Sequence, residues 1–158
     1  MSVALGAASA VFDPSGRVLL VRHTYGPRNW ELPGGGAEDG EDPSSTARRE
    51  LSEETGLDLG PGRLTGIYYE ASGDAGPILH AVFRLDWSPD LPIPTPRSPE
   101  IDAAQFWSVE RLPRPVSTFT VQRIQDARSD GAAARVVQAR EWLPADPTGS
   151  SPDVGTPR

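Results

Sequence analysis

The sequence predicts a mixed α/β (α+β) domain on three observations. Apolar, β-rich runs recur along the chain, two stretches carry helical spacing, and one of those stretches begins and ends with strong local signals. A length of 158 residues suits one domain with a sizeable core. Residues 3–12 and 17–24 (RVLLVRHT) flank the turn-forming tetrad Asp-Pro-Ser-Gly and read as a strand pair. "NWELPGGG" is short and extended, halted by Pro33 and three glycines. Asp42 then serves as an N-cap with Pro43 at the first helical position, so a helix runs from 43 to 55, stopped by Gly56. Ala47 and Leu51, four apart, face the core.

Two further β-rich runs, 63–71 and 77–87, are joined by the small, polar SGDAG. Residues 88–99 carry five prolines and form an extended loop without regular pairing. "AQFWSV" is a strand and "TFTVQRIQDAR" a second helix. "RVVQAREW" reads as a closing strand or a helical turn, with strand preferred. The domain spans 1–143, and the Pro/Gly/Ser-rich segment 144–158 is expected to be a disordered tail.

Composition narrows the function. A net charge of −7 argues against nonspecific binding to a nucleic-acid polymer. No apolar stretch reaches the roughly 18 residues of a membrane helix, and the apolar start lacks a basic flank, so it reads as a strand rather than a signal peptide. With no cysteine there is no disulfide framework, which fits a cytoplasmic protein. With no histidine pair at ligand spacing either, zinc is not expected.

The negative charge is concentrated. Gly34 to Leu57 holds seven carboxylates against Arg48 and Arg49, so most of the excess lies in one segment. Glu50, Glu53 and Glu54 share one face of the helix, where like charges at i, i+3 and i+4 cost a few tenths of a kcal/mol per pair. They also occupy its last turn, where the helix dipole disfavours anions. One reading is a solvated acidic face. The other is a divalent cation, which reverses both penalties and suits hard oxygen ligands. A glycine turn just before the helix lets backbone approach a ligand and favours the second.

This stretch resembles the Nudix box. The family pattern is Gly, five residues, Glu, seven residues, Arg-Glu, a bulky aliphatic, any residue, Glu-Glu, any residue, Gly and a bulky aliphatic. Gly35, Glu41, Arg49, Glu50, Leu51, Glu53, Glu54, Gly56 and Leu57 meet every position, and "WELPGG" before them is also typical. The resemblance implies the α/β/α sandwich of that family, with a mixed sheet and the box as a loop and helix. It implies a magnesium- or manganese-dependent pyrophosphohydrolase cleaving a nucleoside diphosphate linked to another group. Metal ligands would be Glu50, Glu53, Glu54 and the carbonyl of Gly34, with Arg49 orienting Glu50 and Glu41 supporting it.

The resemblance leaves the general base open between a box glutamate, with Glu53 preferred, and a later carboxylate, Glu100 before Asp102. Arg22 and Arg28 are candidate phosphate contacts, Arg22 ahead. Tyr25 or Trp30 would stack a base or else belong to the core. His80, in an apolar strand, reads as structural. Some relatives are nucleotide sensors without catalysis, but these usually lose box carboxylates, and here none is lost. Relatives cleaving ADP-ribose often carry a proline past the box where this chain has Ser72-Gly73. Those cleaving dinucleoside polyphosphates carry a tyrosine there, and Tyr68 and Tyr69 come too early. Nucleoside triphosphates, ordinary or oxidised, are the default. Dimers are common in the family, and the last apolar run offers an interface.

Overall fold

The computed structural model describes residues 2–73 and 76–144. The predicted tail therefore lies almost wholly outside the described residues, as does part of the predicted SGDAG link. Ten elements follow in order: β1 (Ala4–Phe12), β2 (Val18–His23), β3 (Trp30–Glu31), β4 (Gly34–Gly36), α1 (Pro43–Thr55), β5 (Arg63–Gly73), β6 (Gly76–Asp86), β7 (Ile101–Trp107), α2 (Thr118–Ala127) and β8 (Ala133–Val136). All eight strands join one mixed sheet. Its main path is β3-β2-β1-β6-β5-β8, with β4 also on β1 and β7 also on β2.

The tetrad after β1 does form a turn, with the Asp13 carboxylate accepting the amides of Ser15 and Arg17, each at 2.9 Å. The expected strand pair then diverges, and Phe12–Val18 is its one registered pair. β1 instead runs parallel to β6 over nine residues, Ala4–Ile78 to Phe12–Asp86, while β2 turns to β7. A tight turn fixes only its own flanks, and the longer pairing is decided by burial.

The alternation of β1 explains the layers. Ala8, Ala10 and Phe12 face α2 and pack with Leu20, Tyr68, Val82, Phe119, Ile124 and Ala127. Val11 faces the other way, with Leu19, onto Leu51 and Leu57. A strand buried on both faces is apolar at nearly every position, as "VALGAASAVF" is, and its one polar residue, Ser9, gives its hydroxyl to the Ala47 carbonyl. Two predicted boundaries move. β7 starts at Ile101 rather than Ala104, which places Asp102 in the sheet, and "RVVQAREW" resolves as a short strand ending at Val136. Among the described residues no helix is long and apolar enough to cross a membrane.

Candidate active site

The α1 helix forms where its local signals put it. Asp42 accepts the Ser45 amide at 2.9 Å, Pro43 opens the first turn, and Gly56 closes the helix at φ 77°. The glycines before it correct the sequence reading. Gly34–Gly36 are strand β4, paired with β1, and the turn into the helix lies further on, where the Glu41 amide meets the Glu38 carbonyl at 3.0 Å. Close approach is why glycine is needed. A Cβ on Gly34 would stand 2.5 Å from the Ala7 carbonyl oxygen, and one on Gly35 would stand 2.5 Å from a Glu50 carboxylate oxygen. The glycines thus let Glu50 lie flat against the sheet edge.

Arg49 is the hub of the cluster. Its Nε and Nη2 grip both oxygens of Glu41 at 2.8 and 2.9 Å, and Nη2 also reaches the Gly36 carbonyl at 3.0 Å. Its Nη1 donates to Glu50 at 3.1 Å and Glu53 at 3.2 Å. Glu41 also accepts the Thr46 hydroxyl, and the Arg49 and Thr46 bonds hold its carboxyl down at about 2. The arginine is therefore fixed by one carboxylate and offered to two others.

Burial grades the three helix glutamates. Glu53 is largely exposed, Glu50 half-buried and Glu54 buried, although one helical face carries them all. Burial pushes the Glu54 carboxyl up to about 8, with Glu50 adding, the Gly34 amide at 3.1 Å opposing, and Glu100 and Glu31 adding further. Glu50 is raised by burial too, against Arg49, with Glu53 and Glu100 contributing. Tyr25 is also raised by burial, and then by Glu100, Glu54, Glu31 and Glu50. The fold thus brings Glu100 within electrostatic reach of the helix glutamates, and adds Glu31 to the same field.

The end of α1 is closed from a distance. The Thr95 amide donates to the Thr55 carbonyl and the Arg97 amide to the Glu54 carbonyl, both at 3.0 Å. The Arg97 guanidinium packs so closely on Gly56 that a Cβ there would meet its Nε at 2.7 Å. Carbonyls left open by the last turn are satisfied, and a cation stands where the helix dipole favours one. Sequence reasoning missed Thr95, Arg97 and Glu31. The only signal was negative: a last turn with no basic residue of its own.

The predicted phosphate contacts, Arg22 and Arg28, share one carboxylate. Asp102 accepts Arg22 Nε at 2.7 Å and also accepts Arg28 Nη2. Asp102 is thereby tied to two guanidiniums, which argues against its role as a base and leaves donors free on both arginines. Of the two aromatic candidates, Trp30 is core, 2% exposed and edge-on to Trp107. Tyr25 is 56% exposed and stacks on His23. His80 sits half-buried against Glu70 at 3.0 Å.

Among the described residues no three His, Asp or Glu side chains stand together at ligating distance. Arg49 bridges Glu50 and Glu53 instead. The donor chemistry nonetheless fits a hard divalent cation. The donors are all oxygen, and Glu54, raised first by burial and then by Glu50, is a carboxylate whose charged form a cation would favour.

A profile of the NUDIX domain matches residues 3–128. RNA pyrophosphohydrolase of Caulobacter vibrioides is 53% identical over 49 residues, 30% of this chain and 28% of that protein. ADP-ribose pyrophosphatase of Mycobacterium tuberculosis is 51% identical over 57 residues, 33% of this chain and 28% of that protein. The similarity to these relatives thus spans little more than a quarter of their length. In three dimensions the chain is similar to a MutT NUDIX hydrolase from Burkholderia pseudomallei, with TM-score 0.68 at 23% identity over 80% of this chain and 98% of that one. It is also similar to the NUDIX domain of Shewanella oneidensis NrtR, complexed with ADP ribose, with TM-score 0.68 at 20% identity over 81% and 88%. At these identities the structural likeness carries the fold.

Proposed function

The chain belongs to the Nudix family, and on that premise we propose that it is a cytoplasmic pyrophosphohydrolase of a nucleoside di- or triphosphate derivative. The observation that supports this best is the overloaded acidic end of α1, where Glu50 and Glu54 are raised by burial and by neighbouring carboxylates while Arg49 reaches only Glu50 and Glu53, an arrangement that a bound cation would relieve. A nucleotide sensor on the same fold has no need of every box carboxylate, and this chain keeps them all. A phosphate chain brought to this site needs its own charge offset, which the same cation would do.

In this reading Glu50, Glu53 and Glu54, with the Gly34 carbonyl, would hold Mg2+ or Mn2+, which would polarise the anhydride and acidify a water. The chain's own residues do the rest. Glu41 fixes Arg49, and Arg49 fixes the near oxygens of Glu50 and Glu53. Glu53, the most exposed of the three, takes the proton of the attacking water. Glu100 borders the same field and is the second carboxylate able to do so. Arg22 and Arg28 lend free N–H groups to the phosphates while Asp102 holds their planes. Water attacks phosphorus, the anhydride P–O bond breaks, and a nucleotide or phosphate leaves.

The substrate class we favour is a small nucleotide, nucleoside triphosphates first, with a homodimer as the expected assembly. The experiment is a screen with Mg2+ or Mn2+ over nucleoside triphosphates, ADP-ribose, dinucleoside polyphosphates and 5′-triphosphorylated RNA, reading phosphate and pyrophosphate. Metal-dependent release from one of them is expected. Saturable nucleotide binding with no release would establish the sensor instead.

A further inference from the structure

The five-proline loop joins β6 to β7 and should be a loosely held segment, since proline removes donors and these residues form no strand or helix. Its last part is pinned at two places. On one side the amides of Thr95 and Arg97 cap α1, and the Arg97 side chain lies against Gly56. On the other side Thr24, just after β2, donates its amide to the Glu100 carbonyl at 2.8 Å and its hydroxyl to the Pro99 carbonyl at 2.9 Å. Four hydrogen bonds thus anchor a six-residue stretch between the end of α1 and the end of β2, and Glu100 is its last residue. Glu100 itself is exposed, so burial of its side chain does not account for the anchoring.

We infer that residues 95–100 form a preset strap in which Thr24 and Arg97 are positioning residues that hold Glu100 at the acidic end of α1. The inference rests on the hydrolase reading above and deepens it. A carboxylate on an untethered loop would sample many positions, whereas one fixed relative to the helix glutamates contributes to catalysis through orientation. Arg97 acts at both levels. Its amide joins the strap to the helix that carries Glu50, Glu53 and Glu54, and its guanidinium fills the space that Gly56 leaves open. The distance between Glu100 and the helix glutamates is then set by these backbone bonds together with the Thr24 hydroxyl and the Arg97 guanidinium.

The test is kinetic and uses the full chain, with Mg2+ and the nucleotide hydrolysed fastest in the screen. Glu100→Gln is expected to lower kcat about 100-fold. Thr24→Val, which keeps the backbone bond and loses only the hydroxyl, and Arg97→Ala should each lower kcat about 3- to 10-fold with KM changed less than about twofold. Thr24→Ser should restore the wild-type value. Combining either variant with Glu100→Gln should leave kcat within about twofold of Glu100→Gln alone, because residues acting through one group are not additive. Additive losses, or unchanged kcat in Thr24→Val and Arg97→Ala, would overturn the strap while leaving the hydrolase reading standing. Wild-type turnover in Glu100→Gln would remove both the role of Glu100 and the strap. A wild-type protein that cleaves no nucleotide would take down the hydrolase reading and the strap together. If Arg97→Ala lowers the melting temperature sharply, the Thr24 pair decides the matter alone.

Discussion

The polar side chains around α1 and those around α2 meet opposite electrostatic conditions. Beside α2 every buried acid has a partner of its own: Glu31 takes Arg123, Asp126 takes Arg135 in two bonds of 2.7 Å, and Glu70 takes Arg140 at 2.8 and 2.6 Å. Asp126 also accepts the Tyr68 hydroxyl and the Gln122 amide, so burial raises its carboxyl but these bonds outweigh it and hold it low. Beside α1 a single guanidinium is shared by Glu41, Glu50 and Glu53, and Glu54 has only a backbone amide. Matched charges hold a fold together. Unmatched ones mark a place where stability is given up for a ligand.

The sharpest way to break this comparison is Glu53→Gln. Turnover should fall at least about 100-fold, while the melting temperature stays level or rises slightly because repulsion in the last turn is relieved. Full activity in the purified variant would mean that the unmatched cluster is only a solvated surface. Next in size is Arg123→Met beside α2, which strands Glu31 inside the protein. Removing one partner of a buried pair costs about 3–5 kcal/mol, so chemical denaturation should show a loss of that order. Adding Glu31→Gln should recover part of it. Equal stability of the single variant and wild type would show that the α2 network contributes nothing.

The opposite sign is expected from Glu54→Gln. The buried carboxylate is surrounded by like charge, and the amide can still accept the Gly34 N–H. Without metal the variant should melt a few degrees higher, and it should lose the gain that Mn2+ gives the wild type. A lower melting point without metal would show that Glu54 is already compensated.

How much of this contrast the sequence reveals depends on the range of the interaction. The frame of α1 was legible because Asp42, Pro43 and Gly56 act within a turn of their own position. That the box glutamates share one helix face was legible from spacing, while their proposed role came from the family resemblance. The three-layer arrangement was implied by the family resemblance, and the largely apolar β1 agrees with it, but the parallel pairing of β1 with β6 was not legible, because a hairpin turn suggested β2 instead. What stayed hidden was long-range. Arg22 and Arg28 meet Asp102 from across the chain, Glu31 meets Arg123, and the cap on α1 arrives from the proline loop. Trp30 was ambiguous by type, since an aromatic beside a glycine-rich loop serves a ligand or a core equally well. Only its 2% exposure distinguishes them.

Acid should separate the two clusters more gently. His80 is lowered by burial first, with Glu70 opposing and Arg123 lowering it further. A folded value below 6.5 means the folded state binds fewer protons there, so this stability is present above 6.5 and lost as pH falls below it. Glu70, lowered by Arg140 and His80 against its burial, and Asp126 lose their share only below the ordinary carboxylate range. Glu54, raised to about 8, works the other way and adds stability as pH falls from about 8, so the decline of a few degrees from pH 7 toward pH 5 is expected in the Glu54→Gln background, where that rise is removed. His80→Phe should flatten that first decline. An unchanged decline in the variant would place its origin outside the α2 cluster.

The smallest effect is expected at the C-terminus, where the comparison can be made by length. The last described contacts belong to the α2 side: Trp142 bridges Ser117, the Thr118 amide donates to the Glu141 carbonyl at 2.8 Å, and the Leu143 amide donates to the Val116 carbonyl at 3.1 Å. Beyond Pro144 the sequence offers Val154 and Ala145 as its only aliphatic side chains, too little to bury. Deleting 144–158 should leave kcat/KM and melting temperature unchanged, whereas deleting from Arg140 removes the partner of Glu70 and the backbone bonds to the start of α2. That longer cut should lower the melting temperature, because it leaves a half-buried carboxylate without its arginine. A large fall in kcat/KM from the shorter cut would show instead that the tail reaches the acidic site, and the division between a matched structural side and an unmatched reactive side would no longer hold at this end of the chain.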